Sequence, residues 1–208
     1  MKTLIAVPCM DQVAAQFAQS LAMLKKVGDC VVSFQVGSLV YNSRNSLALK
    51  AVTLGCDYVL WLDSDMLFPP ETLEYMVKEL EEKNLDILSG LYFRRVAPFS
   101  PVVFSKIDID AMTWAEPEEI PDELFEVEGI GFGCVLTRTS TLFDVQAEFN
   151  TMFQPLNGFG EDLSFCWRAK KLGHKIWVDP HILCGHVGHQ VITKEFYDLY
   201  KSARIGKE

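Results

Sequence analysis

Two aspartates that directly follow an apolar run are the side chains of this chain best suited to hold a cation. Residues 58–62 are all apolar and predict a buried strand. The next three residues are Asp63, Ser64 and Asp65. Two carboxylates at one strand end repel each other and lose hydration unless a cation lies between them. Mg²⁺ and Mn²⁺ prefer oxygen ligands, and one ion can bind carboxylate and phosphate oxygens at the same time. Helix capping before Pro70 is the alternative role for these residues, because Asp and Ser are common at helix starts.

Two further acids, Glu161 and Asp162, open a helix predicted over residues 163–172. The four residues before Glu161 contain two glycines, which favours a loop whose backbone passes close to a ligand. A carboxylate in that position can accept a proton from an attacking hydroxyl group within hydrogen-bond distance. Acids in a first helical turn also interact favourably with the helix dipole, so capping is again the alternative.

Arg44 and the pair His186 and His189 complete the candidate chemistry. Arg44 lies with Asn45 at the start of the helix after the second predicted strand, where free backbone N–H groups favour an anion. A solvated surface arginine is the alternative there.

The two histidines lie three residues apart in a glycine-punctuated segment, and either imidazole could bind a metal. Their alternative role is that of polar turn residues.

Strands and helices alternate along the chain, which predicts an α/β fold with a mostly parallel central sheet flanked by helices. The second helix is expected to be capped by Asn42 or Ser43 and to end at Gly55. Ligands gather at the carboxyl ends of parallel strands, where Pro8, Asp63 and Asp65 all fall. The predicted strands cover residues 4–7, 31–36, 58–62, 86–92, 134–136, 176–178 and 182–184. The predicted helices cover 13–26, 42–55, 70–83, a short segment from Thr139 or Ser140, 163–172 and 193–201.

The stretch 98–128 is rich in proline and acidic residues, which predicts a solvated connection or lid outside the core. Residues 102–104 could still add a short strand. The regular succession of strands and helices in the rest of the chain predicts one domain over 1–208, either by itself or as one domain of a longer native chain.

Composition narrows the class of protein further. The chain has 208 residues, of which 49% are hydrophobic and 23% charged, as in globular proteins. Its formal net charge of −9 argues against nucleic acid as a partner. Six scattered cysteines without C-x-x-C spacing predict a reducing compartment, and therefore a cytoplasmic protein. No apolar run approaches the roughly 18 residues of a membrane span.

In their order and spacing, these features resemble the GT-A type glycosyltransferases, and most closely the large family 2 group of nucleotide-sugar transferases. Residues 160–168, with the sequence GEDLSFCWR, are especially typical when LGHK follows at 172–175. The resemblance extends from Leu4 to about His189. Its motifs are Arg44-Asn45, Asp63-x-Asp65, Gly131-Phe132-Gly133, Gly160-Glu161-Asp162 and the late His-x-Gly.

The resemblance implies transfer of a sugar from a nucleotide diphosphate sugar, UDP-linked, to a hydroxyl group of a glycan, protein or small molecule. Asp65 would hold Mn²⁺ or Mg²⁺ together with a late histidine. Asp162 would be the general base. The residues implied in binding the nucleotide sugar are Val7 and Pro8 (base), Arg44 (base or phosphates), Asp63 (ribose), Ser64, Gly131, Gly133 and Glu161.

The histidine segment is also similar to one in the polypeptide N-acetylgalactosaminyltransferases, where the later histidine matches the ligand. We favour His186 as the ligand, with His189 and Asp63 as alternatives. Those enzymes retain the anomeric configuration, whereas the pair Glu161 and Asp162 favours inversion.

Two other functions remain open on the sequence. A nucleotidyltransferase also uses carboxylates and a metal, but it usually has a glycine-rich, basic loop after strand one, and residues 8–12 (PCMDQ) have neither property. A nucleotide-sugar-binding module without catalysis is the second, against which the intact acids argue.

Overall fold

Seven strands form one central sheet, and five of them run in the same direction. The computed structural model describes residues 1–188 and Lys194. His189 and, apart from Lys194, the helix predicted at 193–201 lie outside the described residues. Within residues 1–188 the strands are β1 (Lys2–Cys9), β2 (Asp29–Val36), β3 (Tyr58–Leu62), β4 (Met66–Leu67), β5 (Ile87–Leu91), β6 (Val103–Phe104), β7 (Lys106–Asp108), β8 (Thr113–Ala115), β9 (Phe125–Val127), β10 (Gly129–Ile130), β11 (Cys134–Arg138), β12 (Ile176–Leu183) and β13 (Gly185–His186). The helices are α1 (Ala15–Met23), α2 (Val40–Thr53), α3 (Thr72–Glu82), α4 (Thr139–Phe149) and α5 (Glu161–Lys171).

The sheet has the strand order β2-β1-β3-β11-β5-β12-β9, with helices packed on both faces. Side chains alternate between the two faces of each strand. In β1, Leu4 and Ala6 pack with α2, α4 and α5, whereas Ile5 and Val7 pack with α1 and α3. Because both faces are covered, a central strand such as β3 is apolar at every position. The predicted α/β fold with a mostly parallel sheet is confirmed.

The strands β11 and β9 run against the other five. The register of β11 places Cys134 opposite Leu62 and Arg138 opposite Tyr58, so β11 begins where β3 ends. This arrangement brings the glycine-rich segment before Cys134 to the carboxyl end of β3.

Three expectations about the elements were wrong in detail. The stretch 98–128 does not lie outside the core, because β9 is an edge strand of the central sheet and β6 is buried. The short strand expected at 102–104 is confirmed as β6, and the role of the stretch as a lid stays a prediction. The helix α2 begins at Val40 without a side-chain cap, so neither Asn42 nor Ser43 caps it. The two strands expected at 176–184 form one strand with an irregularity in its register.

Candidate active site

The turn between β3 and β4 is held by backbone hydrogen bonds to three other segments. The N–H of Asp63 donates to the carbonyl of Gly133 at 3.0 Å, and the N–H of Val187 donates to the carbonyl of Asp65 at 2.8 Å. The carbonyl of Ser64 accepts from the N–H of Ala14 at 3.0 Å. These bonds fix the turn at the carboxyl end of the sheet, where ligands bind in open α/β sheets.

Arg44 is buried between two of the predicted site acids. Its Nη2 lies 2.8 Å from Asp63 Oδ1 and its Nε lies 3.1 Å from Glu161 Oε1. The side chain is 2% exposed, and its guanidinium carbon lies 5.4 Å from the centroid of the Phe132 ring. Burial disfavours the charged guanidinium, but the two acids outweigh it and raise the pKa of Arg44. Arg44 is therefore not a solvated surface arginine, and it ties the turn after β3 to the start of α5.

Asp65 faces a histidine and an arginine. His186 Nε2 lies 3.4 Å from Asp65 Oδ2, and the guanidinium of Arg95 forms an ion pair with the same oxygen. Partial burial alone would raise the pKa of Asp65, but His186 and Arg95 lower it overall. The contact with Asp65 in turn raises the pKa of His186. The strand pair β4 and β13 sets this geometry, since His186 lies opposite Met66 in register.

The side chains of Asp65 and His186 fit a divalent cation. His186 Nδ1 lies 3.0 Å from the carbonyl of Phe93 and donates to it in the tautomer that leaves the Nε2 lone pair facing Asp65. In metal-binding histidines, the N–H of the second ring nitrogen almost always donates a hydrogen bond in this way. Within residues 1–188 no group of three or more acidic, histidine or cysteine side chains forms a complete metal site. Magnesium ions at phosphate-binding sites typically need only one or two carboxylates besides the substrate phosphates.

Asp162 has no ion-pair partner among the described residues, and its side chain interacts with its own helix. Its Oδ1 accepts a hydrogen bond from the N–H of Leu163 at 2.7 Å. Burial, together with the neighbouring carboxylate of Glu161, raises the pKa of Asp162 to about 6, because these two effects outweigh the hydrogen bond from Leu163 and the charge of Arg44. A carboxylate with such a pKa can take up a proton from a hydroxyl group near neutral pH.

Gly160 leaves the space in which the Asp162 carboxylate lies. A Cβ atom added at Gly160 would lie 2.9 Å from Asp162 Oδ1, while the backbone itself is compatible with any residue. We expect Gly160→Ala to displace this carboxylate and to lower the transfer rate about 10–100-fold, because a small misplacement of a reacting group is costly. The melting temperature should change little, because the side chain of Asp162 can move. Transfer kinetics and thermal unfolding of the variant measure both effects, and an unchanged rate would contradict the prediction.

Gly131 and Gly133 accommodate a tyrosine. Added Cβ atoms would lie 2.2 Å from the Tyr92 hydroxyl oxygen at Gly131 and 2.8 Å from the Tyr92 ring at Gly133. The N–H of Gly133 donates to the Tyr92 hydroxyl oxygen at 3.1 Å. Burial raises the pKa of Tyr92 well above its usual value, so the hydroxyl stays protonated. The glycines thus permit the close packing of Tyr92 against the segment that precedes β11.

These groups surround a cavity of about 340 Å³ at the carboxyl ends of the strands. Eight of the predicted residues line it: Pro8, Arg44, Asp63, Ser64, Asp65, Glu161, Asp162 and His186. Val7 packs into the core and Gly131 and Gly133 are buried, and these three residues do not line the cavity. His189 lies outside the described residues.

Phe132 lines the cavity from within the predicted motif Gly131-Phe132-Gly133. Tyr92 and Arg95 also line it, although the sequence did not single them out as site residues. Tyr92 is the last residue of the predicted strand 86–92, and Arg95 lies three residues after it. The rule that ligands bind at strand carboxyl ends could have found both.

A larger cavity of about 720 Å³ lies at the opposite edge of the sheet, where strands β1 and β3 begin. Its charged groups are already paired: Glu81 Oε1 lies 2.8 Å from Arg138 Nη1, and Asp57 Oδ2 lies 3.8 Å from the terminal amine. We therefore place the candidate active site in the smaller cavity, which holds the acids, the imidazole and the carboxyl ends of the parallel strands.

The fold is shared with two solved structures. The protein A197 of STIV matches with a TM-score of 0.63 and 18% identity, over 93% of this chain and 97% of that one. GalNAc-T7, solved with UDP, GalNAc and Mn²⁺, matches with a TM-score of 0.62 and 10% identity, over 91% of this chain and 44% of that one. The fold is therefore that of the GT-A glycosyltransferases.

The family follows from sequence. Residues 18–133, more than half of the chain, match the model of glycosyl transferase family 2. This chain belongs to glycosyl transferase family 2. The mannan polymerase complex subunit mnn9 of Schizosaccharomyces pombe is 26% identical over 174 residues, covering 69% of this chain. The chain spans about half the length of that curated relative, 50%. None of the helices in the described part of the chain is long and apolar enough to cross a bilayer.

Proposed function

We propose that this chain transfers a sugar from a nucleotide diphosphate sugar, UDP-linked, to an acceptor hydroxyl group, with a divalent cation and with inversion at the anomeric carbon. The observation that carries the proposal is the content of one cavity. It combines a carboxylate–imidazole pair, Asp65 and His186, with a half-buried acid of raised pKa, Asp162. The first suits a cation on a diphosphate, and the second suits a general base.

Departure of the nucleoside diphosphate is the step that most needs positive charge, because negative charge grows on the leaving group. Asp65 and His186 would hold Mn²⁺ or Mg²⁺, which when bound supplies part of that charge. Arg95 lines the same cavity and contributes a guanidinium next to Asp65. The solved GalNAc-T7 structure contains UDP and Mn²⁺, which supports this choice of donor and ion.

Deprotonation of the acceptor falls to Asp162. In the ionised form its carboxylate accepts the hydroxyl proton while the oxygen attacks the anomeric carbon on the face opposite the leaving group. Arg44 is a positioning residue in this scheme. It pairs with Asp63 and Glu161, so it holds the nucleotide-binding turn and the first turn of α5 in a fixed relation.

A donor screen tests the proposal directly. We expect thermal stabilisation by one class of nucleotide sugar, and only with Mn²⁺ or Mg²⁺ present, because a ligand that binds the native state alone raises its stability. UDP-linked sugars come first, and mannose-bearing donors are included because of the name of the fission-yeast relative.

The product then separates the competing functions. Release of a nucleoside diphosphate upon transfer supports the proposal, and release of pyrophosphate would identify a nucleotidyltransferase. Metal-dependent donor binding without transfer to any acceptor would identify a binding module. A screen in which no nucleotide sugar binds the full chain would refute the proposal.

A further inference from the structure

A second cavity, of about 350 Å³, adjoins the candidate active site at the first turn of α5. Glu161 and Asp162 line the first cavity, whereas Gly160 and Leu163 line the second. The proposed general base therefore lies on the turn that both cavities share. A ligand in the second cavity can present a hydroxyl group at this turn.

The hairpin formed by β7 and β8 also lines the second cavity, through Met112 and Trp114. The hairpin turn is stabilised by Asp108, whose Oδ1 accepts from the N–H groups of Asp110 at 3.1 Å and Ala111 at 2.9 Å. All three residues of β8 are exposed, and the middle one is Trp114. The hairpin thus presents a tryptophan to the cavity on a strand whose residues contribute nothing to the buried core.

Trp114 remains 46% exposed, although two neighbours hold its ring in place. Phe104 meets the indole edge-on, with ring centroids 5.4 Å apart at 82°. The guanidinium carbon of Arg94 lies 5.2 Å from the ring centroid, and Arg94 Nη2 lies 3.5 Å from Glu116 Oε1. Contiguous exposed apolar patches mark binding sites, and Met112, which is 66% exposed, lines the same cavity as Trp114. Because the ring is fixed before binding, little conformational entropy is lost when a ligand packs on it.

The polar groups of the cavity suit a ligand with many hydroxyls. Arg94 supplies N–H donors, and Asn157 supplies a carboxamide whose Nδ2 lies 3.4 Å from the carbonyl of Ile109. Among the described residues, no acidic side chain lines this cavity, in contrast to the first. A saccharide ring combines an apolar C–H face, which packs on an aromatic ring, with hydroxyls that need donors and acceptors.

We propose that this cavity is the acceptor subsite and that it binds a carbohydrate, with a sugar ring packed against Trp114. The acceptor is therefore a glycan, and neither a peptide nor a lipid. This inference rests on the proposed function for the reaction at Asp162, but the binding of a glycan can be measured without any reaction.

The test compares four forms of the full chain on a glycan array, with UDP and Mn²⁺ present. They are the wild type, Trp114→Ala, Trp114→Phe and the control Phe143→Ala, which truncates an aromatic residue that is 57% exposed in the cavity at the opposite edge of the sheet. The oligosaccharide bound best by the wild type is then titrated against each variant, and the affinity for UDP with Mn²⁺ is measured for all four.

We expect Trp114→Ala to weaken oligosaccharide binding about tenfold or more, as the loss of a central aromatic contact does. Trp114→Phe should keep most of the affinity, because an aromatic ring remains, and Phe143→Ala should leave it unchanged. The affinity for UDP should stay within about twofold in all variants, because Trp114 does not line the donor cavity.

Three results would overturn the assignment. The first is that the wild type binds no glycan on the array. The second is that Trp114→Ala binds the oligosaccharide as tightly as the wild type does. The third is that peptides, and not glycans, bind in a way that requires Trp114. Failure of the proposed function would give a different result: the wild type would bind a glycan in a way that depends on Trp114, but it would bind no nucleotide sugar. If Trp114→Ala does not fold, Trp114→Leu takes its place, because it removes the aromatic ring but keeps an apolar side chain, and the same loss of affinity is expected.

Discussion

Asp162→Asn is expected to lower the rate of sugar transfer about 10²–10⁴-fold, the usual contribution of a general base. The asparagine oxygen can still accept the hydrogen bond from the N–H of Leu163, so the geometry of the first turn of α5 should persist. The variant should bind the nucleotide sugar as the wild type does. Steady-state transfer kinetics and calorimetric titration of the donor measure the two quantities separately.

The pH dependence of the wild type provides a second measurement on the same residue. With a pKa of about 6, Asp162 is protonated and inactive as a base at lower pH, so the transfer rate should rise through about pH 6 and then level off. This limb of the profile should disappear in Asp162→Asn.

The same pKa predicts a stability gain for the variant. The pKa is raised from an ordinary value of 3.8, so between these two values the native state binds more protons than the unfolded state. Stability contributed by the protonated form is therefore lost as the pH rises through this window, and at pH 7 the ionised acid is destabilising. Asp162→Asn should unfold at a higher temperature, with a gain on the order of 1–2 kcal/mol.

The control for these measurements is Glu148→Gln, which neutralises an exposed acid on α4 and should change neither rate nor stability. If Asp162→Asn transfers sugar at the wild-type rate, another group is the base. A rate loss accompanied by an equal loss of donor affinity would instead indicate a role in binding.

Asp65→Ala is expected to abolish metal-stimulated turnover of the donor, with a loss of at least about 100-fold. The substitution removes the only carboxylate that faces His186 Nε2 among the described residues. The fold should persist, because the hydrogen bond from the N–H of Val187 goes to the backbone carbonyl of residue 65. Manganese titration of donor turnover and calorimetry of UDP binding with Mn²⁺ measure the effect.

Asp57→Asn is the matched control for Asp65→Ala, since Asp57 is an exposed aspartate at the opposite edge of the sheet. It should retain the full response to manganese. Turnover by Asp65→Ala at near the wild-type rate, with the same dependence on manganese, would refute the proposed metal site.

The local pattern of the chain was sufficient to predict most of the fold. The apolar run 58–62 gave the bounds of β3 correctly, because a central strand buried on both faces must be apolar throughout. Asp63 and Asp65 lie at the carboxyl ends of the parallel strands, as their position after the run 58–62 had predicted. Asp162 lines the same cavity from the first turn of α5. The match to the family model confirms the family that the order of motifs had indicated.

The sequence could not predict the partners of the site residues. Nothing near Arg44 in the chain indicates that it is buried between Asp63 and Glu161, since Glu161 lies 117 residues away. The ion pair of Arg95 with Asp65 likewise depends on where the segment after β5 lies. The glycines at 131 and 133 were expected to border the donor sugar, but in the structure their small size accommodates Tyr92.

By itself, the sequence determined the elements, the edge of the sheet at which the acids collect, and the family, because periodicity and strand ends are local properties of the chain. The tertiary structure decided the direction of β11, the pairing of each charged group and the place of Trp114 beside the proposed general base. These features depend on contacts between segments that are far apart in the chain. Such contacts are set by the packing and electrostatic energies of the whole fold, so they leave no local pattern in the sequence.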